Sequence, residues 1–282
     1  MHTSPSRGAD LHLHSTYSDG SFSPREVVAQ AAACHVNPIS LTDHDTVAGM
    51  PEALQASAEL QVEVIPGVEL SVYESNRETH ILGYFIHWED AAFQKTILPL
   101  QAERHERLEE ILRRLHRLGI PLALADVLRI AGKGTVGRLH VARALVTHGV
   151  VSTLQDAFDH FLARGRPAYV ERVGLTADQA ITTIRNAAGI AVLAHPGQNG
   201  LAHLSDLIEA GLQGIEVFHP SHSAEDVVTL TRVATEHGLL ITGGSDCHGL
   251  AKGEVCLGQV RLPSEFMERL RQATPAPGTP WP

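Results

Sequence analysis

The alternation of short apolar runs with amphipathic helical stretches constrains this chain more than any other feature. Strand-like runs occur at ADLHLH (9–14), PISLTDHD (38–45), VEVIPGVEL (62–70), THILGYFI (79–86), GIAVLAHP (189–196), GIEVF (214–218) and LLITGGSD (239–246). Between most of them lie helical stretches such as SPREVVAQAAACH (23–35), with Ser23 placed to cap and Pro24 at the first helical position. A repeated βα unit predicts a parallel sheet or a barrel. Residues 99–168 break the rhythm with four segments of helical period and no strand. They read as a small helical domain inserted into a barrel made of residues 9–98 and 169–271. Residues 272–282 form a Pro-rich tail predicted to be disordered.

Composition narrows the class. The chain of 282 residues carries 43% apolar residues, yet none of its apolar runs approaches the ~18 residues needed to cross a bilayer. MHTSPSRGAD lacks the layout of a signal peptide, and three cysteines form no CxxC pair, so a cytoplasmic protein is expected. A net charge of −10 argues against a coat for long duplex DNA. The charge is uneven, however: residues 99–172 hold twelve Lys/Arg against eight Asp/Glu, and the rest holds ten against twenty-four. The insertion is therefore the anion-seeking part.

Eighteen histidines direct attention to metal chemistry. At the predicted strand ends stand His12, His14 and Asp19; Asp43, His44 and Asp45; Glu69; His195; Glu216, His219 and His222; and Asp246 with His248. Parallel βα folds bind ligands at that end of their strands. His80 begins its run instead, which implies an antiparallel or displaced strand. Imidazoles and carboxylates without thiolates suit Zn²⁺, Mn²⁺ or Fe²⁺, and nine strong candidates imply two or three ions. Paired ions are a device for attacking phosphate esters. Asp43 and Asp45 have an alternative reading as helix caps, and His219 and His222 as exposed loop residues. His35, His87, His105, His116, His148, His160, His203 and His237 read as surface.

DLHLHS, LTDHD, GVE, THILG, AHP and GSDCH, in that order, resemble the polymerase and histidinol phosphatase (PHP) superfamily, and the likeness spans roughly residues 9–260. The resemblance implies a distorted (β/α)7 TIM-like barrel with three metals at its mouth. It would place His12, His14, Glu69 and Asp246 on one ion, with Glu69 bridging to a second held by His80 and His195. Asp19, His44 and His248 would hold the third. No position of the nine departs from the pattern. The insertion, with RHER (104–107), GRLHVARAL and GRPAYV, looks like the stand-alone nucleoside 3′,5′-bisphosphate phosphatases and 5′–3′ exoribonucleases.

The expectation is a monomeric metal-dependent phosphoesterase acting on a small nucleotide or short oligoribonucleotide, without a membrane partner. Glu69 would underlie the attacking hydroxide, with His195 or His222 assisting the leaving oxygen. Arg104, Arg107, Arg138 and His140 would hold substrate phosphate, with Lys133 a weaker candidate, while Arg113, Arg114 and Arg117 read as a solvated face. The alternatives are another PHP phosphomonoesterase such as a histidinol-phosphate phosphatase, a non-catalytic metal-stabilised binding module, and an amidohydrolase-type barrel. The last begins with the same HxH but typically relies on a Lys after a middle strand, and no Lys lies near a strand end before Lys252.

Overall fold

The computed structural model describes residues 8–74, 77–132, 134–172 and 174–274; Lys133 and residues 275–282 of the tail lie outside them. Seven strands form one sheet in chain order: β1 (Asp10–Leu13), β2 (Ile39–Leu41), β3 (Val64–Glu74), β4 (Arg77–Tyr84), β5 (Ile190–Leu193), β6 (Gly214–Phe218) and β7 (Leu240–Gly243). All neighbouring pairs are parallel except β3–β4 and β4–β5. Only β4 therefore runs backwards, and its beginning, not its end, reaches the mouth. That is why His80 stands at the start of its run; it is registered with Ser71 on β3.

The sheet curls until its edges meet. Leu13 forms a parallel bridge with Cys247, and the His14 N–H donates to the Cys247 carbonyl at 3.0 Å. Gly244 makes this closure possible, because a Cβ there would collide with the main chain and Cβ of His12. The fold is the distorted (β/α)7 barrel that the βα rhythm and the resemblance implied.

Helices α1 (Pro24–Ala33), α2 (Met50–Leu60), α7 (Ala177–Asn186), α8 (Leu204–Glu209), α9 (Ala224–Glu236) and α10 (Ser264–Ala273) surround the sheet. Ser23, Thr176 and Ser223 each close a capping box that satisfies the first-turn N–H groups of α1, α7 and α9. Helix α10 runs to Ala273, so residues 272 and 273 belong to it and not to the tail.

Helix α3 (Ala91–Arg117) corrects the expected boundary at residue 99, which falls inside it. Phe93, Ile97 and Leu100 join the barrel core, whereas Leu108, Ile111, Leu112 and Leu115 join a second, separate core. One continuous helix thus passes from the barrel to the helical insertion. The insertion is completed by α4 (Leu124–Ala131), α5 (Arg138–Thr147) and α6 (Leu154–Ala157), the last continuing as a π turn over Phe158–Leu162.

Candidate metal centre

The period-2 spacing on β1 sends Leu11 and Leu13 into the core and turns His12 toward the barrel axis, with His14 just beyond the strand on the same side. Both Nε2 atoms face Glu69 Oε2 (3.2 and 3.3 Å) and Asp246 Oδ1 (3.5 and 3.1 Å). Glu69 Oε1 meets His80 Nδ1 at 2.7 Å and His195 Nε2 at 3.1 Å. Its two oxygens therefore face different sets of histidines, the arrangement of a bridging carboxylate. Asp19 Oδ1 lies 3.1 Å from His248 Nε2, and Asp19 Oδ2 lies 3.9 Å from His44 Nε2. His44 also turns Nδ1 to Glu69 Oε2 at 3.1 Å, so it stands between two of the ligand sets expected from sequence. All nine candidate ligands converge on one pit.

The residues fit divalent ions. His12 Nε2, His14 Nε2, Asp19 Oδ1, His44 Nδ1, Glu69 Oε2, His80 Nδ1 and His248 Nε2 are buried and lack a hydrogen-bond partner. Leaving so many buried acceptors unpaired is costly unless cations take the lone pairs. Groups of ligand atoms close enough to share an ion include His14 with Asp19, His44 and His248, and His12 with Glu69 and His195. Burial alone would lower the His14 pKa, but hydrogen bonds and charge from Asp246 and Glu69 outweigh it and push it up to about 9. His195 and Asp246 hold left-handed backbone, at φ 29° and 50°, as strained residues at functional sites often do.

A second layer fixes these side chains. Glu216, fully buried, accepts from His12 Nδ1 at 2.9 Å and from the His195 N–H at 2.8 Å. Asp43 accepts from the Ser15 N–H, the Ser15 hydroxyl and the Ser18 hydroxyl, holding the turn that delivers Asp19. Gly20 allows that turn because a Cβ would strike the His14 carbonyl. Asp45 accepts from Arg104 and Arg172 at 2.5 Å each and from the Ser71 N–H. Burial would raise the Asp45 pKa, yet the two guanidiniums hold it well below the carboxylate range. Neither aspartate caps a helix, since the position before α2 is Gly49.

Two of the expected roles are corrected. His222 donates from Nδ1 to the Val217 carbonyl (2.8 Å), while its Nε2 accepts the Gly197 N–H (3.1 Å). Both nitrogens are thus held by main chain, and it has no proton to offer a leaving group. His140 is 1% exposed and accepts the Gly137 N–H on Nδ1, capping α5 instead of meeting an anion. Burial lowers its pKa to about 4. Arg104 lines the cleft, but its guanidinium is committed to Asp45 and Ser71.

A cleft of about 330 Å³ leads from Asp19, His44 and His80 to the helical insertion, where Arg104, Arg107, Arg138, Leu139, Leu154 and Phe158 line it, with Lys252 on the barrel side. A second cleft of about 300 Å³, lined by Thr79, Ala194, His195, Pro196 and Gly200, shares His80 and Arg138 with the first. Arg107 and Arg138 also stack near the Tyr169 ring, at 6.0 and 5.8 Å. Glu216 and His219, named at the β6 end but given no role from sequence, both face the pit, and Arg172, Lys252 and Phe158 carried no motif. The eight histidines read as surface are exposed. Among the described residues no helix is long and apolar enough to cross a membrane.

Comparison with known proteins agrees with this geometry. Residues 10–161 match the PHP domain model. The chain is 37% identical to the 5′-3′ exoribonuclease Rnm of Salmonella typhimurium, covering 85% of this chain and 84% of the relative. It is 34% identical to the 3′,5′-nucleoside bisphosphate phosphatase of Chromobacterium violaceum, covering 86% and 88%. A solved structure from Bifidobacterium adolescentis, described as a candidate metal-dependent phosphoesterase, superposes with a TM-score of 0.88 at 30% identity, covering 97% and 98%. The ligand constellation, the barrel and these similarities together establish that the chain belongs to the PHP domain family.

Proposed function

We propose that this metal-dependent phosphoesterase hydrolyses phosphate esters of nucleotides, either the 3′-phosphate of nucleoside 3′,5′-bisphosphates or the 5′ end of short RNA. The observation that carries the reading is the placement of cationic side chains at the metal pit: Arg107, Arg138 and Lys252 line a cleft that opens directly on Asp19, His44 and His80. Arginine suits phosphate oxygens because its planar fork donates two parallel hydrogen bonds. Leu139, Leu154 and Phe158 supply an apolar wall on the lid side, the surface a nucleobase would stack on. The second cleft across His80 and Arg138 gives room for a substituent beyond the scissile phosphate, as a bisphosphate or an RNA end requires. The names of the exoribonuclease and bisphosphatase relatives support the same substrate class.

Two or three divalent ions, Mn²⁺, Zn²⁺ or Fe²⁺, would occupy the pit, with His12, His14, Asp19, His44, Glu69, His80, His195, Asp246 and His248 as ligands. When bound they supply charge neutralisation and an activated water. The chain's own groups do the rest. Glu69 ties the ligand sets together, Glu216 fixes the His12 ring and the His195 main chain, and the lid arginines orient the anion.

A phosphate-release screen on Mn²⁺-loaded protein tests the assignment, comparing 5′-AMP, 3′-AMP, a 3′,5′-bisphosphate, short 5′-phosphorylated RNA and histidinol phosphate. Highest kcat/KM for the bisphosphate or the RNA is the expected result. Preference for histidinol phosphate would overturn it.

A further inference from the structure

We propose that His219 is a hydrogen-bond donor to the substrate phosphoryl group and not a further metal ligand, an inference that rests on the phosphoesterase reading above. The residue stands with His12 and Glu216 at a spacing that could share an ion, and its Nε2 is buried in the pit without a hydrogen-bond partner. The ring lies 5.2 Å from that of His195 and 6.2 Å from that of His12. Its side chain is only 8% exposed.

The tautomer follows from its neighbours. The main-chain N–H of Ser221 points at His219 Nδ1 at 3.1 Å, and the Ser221 hydroxyl lies 2.7 Å from the same atom. A main-chain N–H can only donate, so Nδ1 carries the lone pair and the neutral ring keeps its proton on Nε2. A metal ligand needs the reverse, a lone pair on the atom facing the ion. His219 thus presents an N–H to the pit. Asp246 does not satisfy that N–H. Its Oδ2 lies 3.7 Å away, beyond hydrogen-bond distance, and already receives Lys252 Nζ at 3.1 Å. A phosphoryl oxygen entering the pit beside His195, which lines the second cleft, would complete the bond, and a donor set in advance in a buried site is the kind that favours developing oxyanion charge.

The test compares wild type, His219→Ala and His219→Gln, each loaded with Mn²⁺, by metal content and by inhibition with inorganic phosphate. The alanine variant should keep the wild-type metal stoichiometry and lose about tenfold or more in phosphate affinity, and the glutamine variant, whose amide retains an N–H, should recover part of it. Loss of one metal equivalent in His219→Ala would make the residue a ligand and overturn the proposal, as would unchanged phosphate affinity. Long-range ¹H–¹⁵N spectra of the Zn²⁺-loaded wild type give an answer that needs no variant: a proton on His219 Nε2 is expected, and a proton on Nδ1 contradicts it. A wild type that binds phosphate but hydrolyses no nucleotide ester would defeat the substrate assignment while leaving these readouts intact.

Discussion

Glu216 grips His12 and His195 together, accepting from the ring of one at 2.9 Å and from the main chain of the other at 2.8 Å. The hydrogen bond fixes the proton on His12 Nδ1 and leaves the Nε2 lone pair to face the pit. Glu216→Ala should therefore weaken metal binding about 10- to 100-fold while the barrel stays folded. Glu216→Gln, which keeps one acceptor, should lose less. Equal metal affinities across the three proteins, read by competition with a chelating dye, would remove Glu216 from this role.

Asp45 is the buried counter-ion of Arg104 and Arg172. Removing one partner from such a group leaves charge without compensation, at a cost of about 3–5 kcal/mol. Asp45→Ala should show that loss in chemical denaturation. The solvated pair Arg232–Glu236 should lose less than about 1 kcal/mol on the same treatment. A small loss for Asp45→Ala would mean that the two guanidiniums are held by something else.

His140 gives the fold an acid sensitivity of its own. The unfolded ring takes up a proton near 6.5, the folded ring only near about 4, so the unfolded state binds more protons between those values. Stability should fall as pH drops through that window, by on the order of 3 kcal/mol from this group, and level off below it. His140→Gln can still accept the Gly137 N–H and should show a shallower decline in Tm from pH 6.5 to 4. Parallel Tm curves for the two proteins would contradict the assignment.

Arg138 and Lys252 separate recognition from stability. Each faces the cleft, and Arg138 lines both of its arms. Alanine at either position should raise KM for a nucleotide roughly tenfold with little change in Tm, the cost of one charge-assisted hydrogen bond. Arg113, 67% exposed on the outer face of α3, should leave KM unchanged when replaced. Arg104→Ala is expected to behave like a stability variant, because its guanidinium serves Asp45.

Legibility in the sequence followed physical scale. Most of the candidate ligands are legible because they sit at or just past strand ends, where the period-2 rule and the βα rhythm fix direction, as for His12 on β1 and His14 just beyond it; Glu69 instead lies near the middle of a long β3. Even the reversed β4 was announced by His80 preceding its apolar run. The second layer could not be read so easily. Nothing local to Arg172 indicates that it meets Asp45, 127 positions away, and the position of Asp45 before a helix is equally compatible with a cap, although that cap is Gly49. The partners of His140 and His222 are hidden for a related reason, since both rings are held by main-chain groups, and sequence shows a side chain but not its partners. The start of the insertion is hard to read because α3 changes core without breaking its helical period.

The central claim is that the pit at the barrel mouth is a divalent-metal site that serves phosphate-ester hydrolysis. Stripping the protein with a chelator, then titrating Mn²⁺ while following bound metal and phosphate release from a 3′,5′-bisphosphate, tests it most directly. Two to three bound equivalents, with hydrolysis rising as they fill, is the predicted result. Less than one equivalent bound, or undiminished hydrolysis by the stripped protein, would contradict it.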